Sequence, residues 1–331
     1  VSVDRTGLPE ARLAATSAAI MGDSGGLYHL ISGLLDEGVP FDTILFDVLI
    51  PTERDIGARW QSGDYLISEE HAATATVETV VSLLAGSFDQ PTEGTRIVVA
   101  AAEGDDHSLP ARLVAAHLLF LGYRTTFLGA NVLASDLQEY LAIEPPDALA
   151  LSCAMANHLT GARAVIRASH AAGVPVIVGG KGFGATGRWA EAIGADAWVP
   201  SPRDVPDVLE TWTPDPETAE ARAVDPSQDL TDLIRQRPQV LAAAQRELAS
   251  IGSDNGQPML LAELSLLLGA VEASMLVGDD QVITDMLHWQ ETTLPAHGHD
   301  TGGSIAGSLE AALSEVSPSA SAALARAMGS G

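Results

Sequence analysis

Apolar residues recur at helical spacing through the first 86 positions of the chain. PEARLAATSAAIM and GGLYHLISGLLDEG carry them at intervals of three and four, with Gly25-Gly26 and Gly38 as punctuation. PFDTILFDVLIPTERDIGARWQSG follows, where Pro51 is expected to kink or break the helix. SEEHAATATVETVVSLLAG completes the set, with Ser68 placed as N-cap and acids behind it to suit the positive helix end. Four helices joined by short loops predict an antiparallel bundle over residues 1–88.

From Thr95 the pattern changes. Ile97, Val98, Val99 and Ala100 form a short continuous apolar run, as expected of a strand covered on both faces. Strands are predicted at 96–101, 124–128, 148–152, 175–179 and 196–199, separated by helices near 109–121, 134–142, 160–172, 187–193 and 203–212. This alternation predicts a flavodoxin-like, doubly wound, five-stranded parallel sheet over residues 89–212, entered through the turn-rich SFDQPTEG. Residues 213–228 are rich in Pro and acid and read as an exposed linker. Residues 229–331 return to helical spacing, and PMLLAELSLLLGAVEASMLVG is apolar almost all round, as befits the centre of a second bundle. The fold class is therefore α/β plus all-α.

Composition narrows the function classes. The 331 residues carry 17 basic and 44 acidic side chains, a formal net charge of −27, which repels phosphate backbones and anionic lipid. The expectation is no nucleic acid and no membrane partner. Cys153 is the only cysteine, which rules out an internal disulfide framework and a Cys-rich zinc site and suits a reducing cytoplasm.

The candidate chemistry lies where the first strand breaks into EGDDHSLP, at the edge where open α/β sheets bind ligands. A carboxylate at 105, two residues before His107, can hold one ring nitrogen and present the other as base or metal ligand. An acidic surface loop with one histidine has the same composition. Two more loops share the edge: Ser152 to Ala154, and GGKGFG at 179–184, whose glycines let a large ligand approach the backbone.

Asp105-x-His107, then Ser152 in SCA, then Gly179-Gly180, preceded by a helical bundle, resembles the signature of cobalamin-binding domains that hold the cofactor with its own base displaced. The resemblance covers roughly residues 8–212. It implies that His107 is the lower axial ligand to cobalt, oriented by Asp105 beside Asp106. It also implies that Ser152, Ala154, Gly179, Gly180, Gly182 and Phe183 line the slot for the nucleotide tail, with His158 near the corrin edge. Two positions depart from the family pattern. Pro110 stands where a glycine is usual three residues after the histidine, and Ser152-Cys153-Ala154 replaces Ser-x-Leu.

Trp60, nine intervening residues, then Glu70-His71 resembles the Trp-x9-Glu-His motif of adenosylcobalamin photoreceptors, where those side chains surround the adenosyl group. An indole offers a flat wall to a purine, and Glu70 and His71 can hydrogen-bond ribose or adenine. DNA-binding members carry a histidine after the Trp, for the upper cobalt site after light; here stands Gln61, so the same bis-histidine photoproduct is not implied. Those members also place a winged helix-turn-helix before the bundle, and the expectation here is of none ahead of residue 8.

The added helical domain after the cobalamin domain resembles the photocobilins, sensors of cobalamin and a bilin. That resemblance implies biliverdin held without a covalent bond, with candidate contacts at Arg235, Arg237, His288, Trp289, His297 and His299; a His-rich surface loop is the alternative. The implied activity is that of a cytoplasmic photoreceptor, not an enzyme. Its homo-oligomeric state would depend on light and would act on an effector enzyme. A corrinoid carrier for methyl transfer shares the bundle and the Asp105-x-His107 loop, and is the alternative.

Overall fold

The computed structural model describes residues 7–250, 258–298 and 302–329. Five strands, β1 (Arg96–Ala101), β2 (Arg124–Gly129), β3 (Ala148–Ser152), β4 (Val176–Gly179) and β5 (Ala197–Val199), form one parallel sheet in the order β2-β1-β3-β4-β5. The flavodoxin-like order puts a switch point between β1 and β3, the place where this architecture binds ligands. Register is set by pairs such as Ser152 with Gly179 and Gly179 with Val199. Ile97 through Ala101 are all buried, as the continuous apolar run requires.

The chain divides into two compact units, residues 1–99 with 108–129, and residues 100–107 with 130–331. The first holds α1 (Leu8–Ile20), α2 (Ser24–Asp36), α3 (Phe41–Ile44), α4 (Ile50–Gln61), α5 (Ile67–Ser87) and α6 (Ser108–Phe120). Phe41 is fully enclosed, with the Phe88 and Phe120 rings 4.9 and 5.3 Å away, among Leu27, Ile31, Leu45, Ile56 and Val77. Glu78 on α5 accepts from Ser108 Oγ at 2.8 Å and Arg112 Nε at 3.1 Å, fixing α6 against α5.

Two local expectations change here. Pro51 does not break its helix, because residues 45–49 form one π turn between α3 and α4 and Pro51 falls in the first turn of α4. A wider turn relieves the ring clash that a regular α-helix would impose. Nor is Ser68 an N-cap: α5 begins at Ile67, and the Glu69 carboxylate accepts from the Leu66 N–H at 2.7 Å, so the carboxylate serves the orphan donor instead.

The second unit contains α7 (Ala134–Ile143), α8 (Leu159–Ala171), α9 (Val205–Thr211) and α10 (Pro216–Arg222). It continues into α11 (Gln228–Ser250), α12 (Pro258–Val277), α13 (Gln281–Ala296), α14 (Gly302–Val316) and α15 (Pro318–Met328). Residues 187–193, read as a helix, are successive turns. Residues 213–228 are not simply an exposed linker. Ala219 on α10 is buried, and Glu220 takes both guanidinium nitrogens of the buried Arg163, at 2.6 and 2.9 Å. Composition could not reveal this, since the partner stands 57 residues away.

By length and composition the stretch Leu260–Val277 of α12 is apolar enough to cross a bilayer. Two thirds of that stretch is buried inside the protein, as in the core helix of a bundle. Gly269 seats α12 on the turn that follows β3: a Cβ there would lie 2.9 Å from the Asn157 carbonyl oxygen. Trp189 Nε1 and Arg188 both donate to Asp279, at 2.9 and 2.8 Å.

Candidate functional site

The carboxyl end of β1 turns through Gly104, whose φ of +84° suits glycine, and drops Asp105 into full burial. Each Asp105 oxygen has its own task. Oδ1 accepts from His107 Nδ1 at 2.6 Å and from the His107 N–H at 3.1 Å, and Oδ2 accepts from the Ala154 N–H at 2.6 Å. One buried carboxylate thus orients the imidazole and joins the β1 loop to the β3 loop. Burial alone would push this carboxyl up, but hydrogen bonds from His107 and Ala154 more than reverse that, holding it below the usual range. Its contribution to stability is present above the unfolded pKa and is lost as pH falls through the lowered folded value. The His107 side chain itself is about half exposed.

Asn131, just after β2, completes the loop and was missed from sequence. Its Oδ1 accepts from the Gly104 N–H at 2.8 Å, its Nδ2 donates to Asp106 at 3.3 Å, and its own N–H donates to the Asp105 carbonyl at 3.0 Å. The backbone at Asn131 has φ of +50°, which asparagine tolerates better than most residues. A Gly-Ala-Asn run closing a strand was the available signal.

The β3 and β4 loops interlock. The Cys153 N–H donates to the Gly179 carbonyl, and the Gly182 N–H to the Cys153 carbonyl, each at 3.0 Å. Gly180 has φ of +108°, and a Cβ there would stand 2.2 Å from the Cys153 oxygen. Burial pushes the Cys153 thiol up, so it is a packed group rather than a nucleophile. Ser152 is nearly buried and Ala154 half-buried, while Phe183 is enclosed in the core and supports the loop from inside. His158, next to these loops, takes the Asn157 side-chain amide at Nε2 over 3.2 Å. Burial lowers its pKa against the pull of Asp105.

Among the described residues, no cluster of three or more His, Cys, Asp and Glu side chains gathers as a metal cage. A single oriented imidazole beside glycine-rich loops fits a metal that brings its other ligands in a macrocycle. We expect Asp105→Asn to weaken corrinoid binding about 10–100-fold, the usual cost of losing an outer-shell partner, in an absorbance titration with cobalamin. The amide would turn an N–H2 toward at least one of the three donors that the carboxylate now satisfies.

In the first unit, the connection after α4 is tight: the Gly63 N–H donates to the Trp60 carbonyl at 2.9 Å and the Asp64 N–H to the Arg59 carbonyl at 2.8 Å. Trp60 in the last turn of α4 and Glu70 and His71 near the start of α5 therefore lie toward one bundle end. His71 is exposed, with Nε2 3.7 Å from Glu70 Oε2. Glu53 and Thr74, also unread from sequence, join Glu70 behind them.

The helical-domain candidates are dispersed. Arg235 pairs with Asp232 at the surface, and Arg237 is engaged by Glu272 at 2.6 Å and by Ser265. His288 is exposed, Trp289 and His297 are half-buried, and His299 lies outside the described residues.

Residues 95–205 match one B12 binding domain family and residues 14–85 a second. The HTH-type transcriptional repressor CarH of Myxococcus xanthus is 32% identical over 158 residues, 45% of this chain and 52% of the repressor, so the chain spans about half the length of that relative. Trimethylamine corrinoid protein 1 of Methanosarcina acetivorans is 25% identical over 160 residues, 46% of this chain and 73% of that protein. The Methanosarcina barkeri monomethylamine corrinoid protein superposes with a TM-score of 0.53 at 21% identity, covering 61% of this chain and 98% of its own, a likeness of fold. The cofactor class of the B12-binding region is a corrinoid.

Proposed function

We propose that this chain is a light sensor that holds adenosylcobalamin with its own base displaced. His107 Nε2 would be the atom that holds the metal, since Asp105 engages Nδ1. What supports this reading is the placement of Trp60 at the close of α4 and of Glu70 and His71 at the opening of α5, toward one bundle end. A methyl group needs no such set, whereas a nucleoside presents a flat base to an indole and hydroxyls to a carboxylate. When bound, adenosylcobalamin supplies a cobalt–carbon bond that visible light breaks. Trp60 and Glu70 would pack against the nucleoside in the dark, and its loss would leave the α4–α5 end free to take a second arrangement. That is the ligand-biased two-state element a switch requires.

The relative that is a repressor acts through DNA in name, but a net charge of −27 opposes a phosphate backbone here. We assign the output to altered self-association acting on a protein partner, an effector enzyme in the cytoplasm. We extend the reading to a bilin such as biliverdin in the helical domain. Gln290 Oε1, Thr293 Oγ1, Ser308 Oγ and Glu272 Oε1 are buried without a protein partner among the described residues. Buried polar atoms seldom stay unmatched, and pyrrole N–H and lactam C=O groups supply both donors and acceptors.

In the dark, protein loaded with adenosylcobalamin should show an alkylcobalamin spectrum, and green light should change both that spectrum and the oligomer size in gel filtration. Added biliverdin should give a second visible band. The corrinoid-carrier reading, supported by the trimethylamine corrinoid relative, instead expects tighter binding of methylcobalamin and no change in size.

A further inference from the structure

Glu53 lies on α4, two turns before Trp60, and so shares the face that carries the indole. It is largely buried among α4 and α5. Its Oε2 is 3.3 Å from Thr74 Oγ1, which is in turn 3.0 Å from Glu70 Oε1; Glu53 Oε1 is buried with no protein partner among the described residues. A threonine hydroxyl has one hydrogen and cannot donate to two carboxylates at once. The two contacts are both satisfied only when one carboxyl carries a proton and donates to Thr74 while Thr74 donates to the other.

Resting on the adenosylcobalamin reading above, we propose that Glu53, Thr74 and Glu70 form one hydrogen-bonded chain. In it Glu53 holds the proton, Thr74 passes its own hydrogen to Glu70, and Glu70 is thereby aimed as the acceptor for a hydroxyl of the nucleoside. Glu53 is a positioning residue and acts through Glu70.

The surroundings agree on which carboxyl is protonated. Burial pushes Glu53 up to about 7, the Thr74 hydroxyl pulls it back and the facing Glu70 adds to the rise. Glu70 is the charged group whose field reaches it; the cation that α1 brings to α4, Arg12, is engaged with Asp55. Deprotonation of Glu53 would set two anions around one hydroxyl, turn Thr74 away and misalign Glu70. Nucleoside binding therefore belongs to the protonated form, present below about 7 and lost as pH rises through it.

The test is a titration of the full chain with adenosylcobalamin in the dark from pH 6 to pH 8.5, with methylcobalamin as the second probe and Glu53→Gln as the variant. Wild-type affinity for adenosylcobalamin should fall about ten-fold between pH 6 and pH 8, in proportion to the competent fraction. Affinity for methylcobalamin should stay flat. Glu53→Gln, which donates permanently, should abolish the slope while keeping the pH 6 affinity within a few fold. Without any ligand, the infrared absorption of protonated carboxyls near pH 6 should be weaker in Glu53→Gln than in wild type by the intensity of one group, a readout independent of pigment.

A flat wild-type profile, or a variant that keeps the slope, would overturn the proposal with the light-sensor reading intact. Equal affinity for the two cobalamins at every pH would overturn the nucleoside reading, and this inference with it.

Discussion

Replacing His107 with alanine is expected to lower cobalamin affinity by more than the roughly 10–100-fold that loss of an outer-shell partner costs, because the metal ligand itself is removed. The structure makes the expectation specific. Asp105 would keep its bond to the Ala154 N–H, so the β1 and β3 loops should stay joined and the protein folded. The pigment that remains should absorb as a corrinoid carrying water or its own base below the metal, and added imidazole should restore part of the original spectrum. The thermal unfolding temperature of the unloaded variant should fall modestly, since the buried Asp105 carboxylate gives up the bond from the ring Nδ1 and keeps those from the two backbone N–H groups. An unchanged hue with unchanged affinity would remove His107 from the site.

The second large effect is expected at Gly180. Any side chain there meets two obstacles, a φ of +108° that L-residues rarely adopt and a carbonyl oxygen of Cys153 that would stand 2.2 Å from the new Cβ. Strained backbone and overpacking each cost about 1–3 kcal/mol. Gly180→Ala should therefore destabilise the second unit by about 2–6 kcal/mol in urea unfolding. Relief of the clash has to come from parting the Ser152–Ala154 and Gly179–Gly184 loops, which the Cys153 and Gly182 hydrogen bonds now hold together. The variant should therefore lose affinity for cobalamin, whose nucleotide tail needs the slot, more than for cobinamide, which has none. Equal losses for both would show that these loops do not receive the tail.

Much of this architecture is legible in the sequence, for identifiable reasons. The run from Ile97 to Ala100 declares a strand covered on both faces because burial on both sides leaves no polar alternation to read. Asp105 and His107 are legible because a two-residue spacing makes their contact nearly local. What sequence could not show depends on groups that meet across the fold. Asn131 reaches Gly104 over 27 positions, and Thr74 reaches Glu53 over 21; neither pair leaves a periodic trace. Pro51 misleads for another reason. Its effect on a helix depends on how the preceding turn is wound, and one extra residue per turn at 45–49 absorbs it.

The Arg163–Glu220 pair bears on how shortened versions of this chain should be cut. Ending the polypeptide at Trp212, where composition places the edge of the sheet domain, would strip a guanidinium in dry surroundings of its bidentate counter-ion. His170, held at 2.7 Å by Asp196 and facing Glu220 at 3.6 Å, would lose a neighbour in the same cut. A stop placed beyond Arg222 keeps helix, carboxylate and cation together, and the corrinoid loops would then rest on an intact floor.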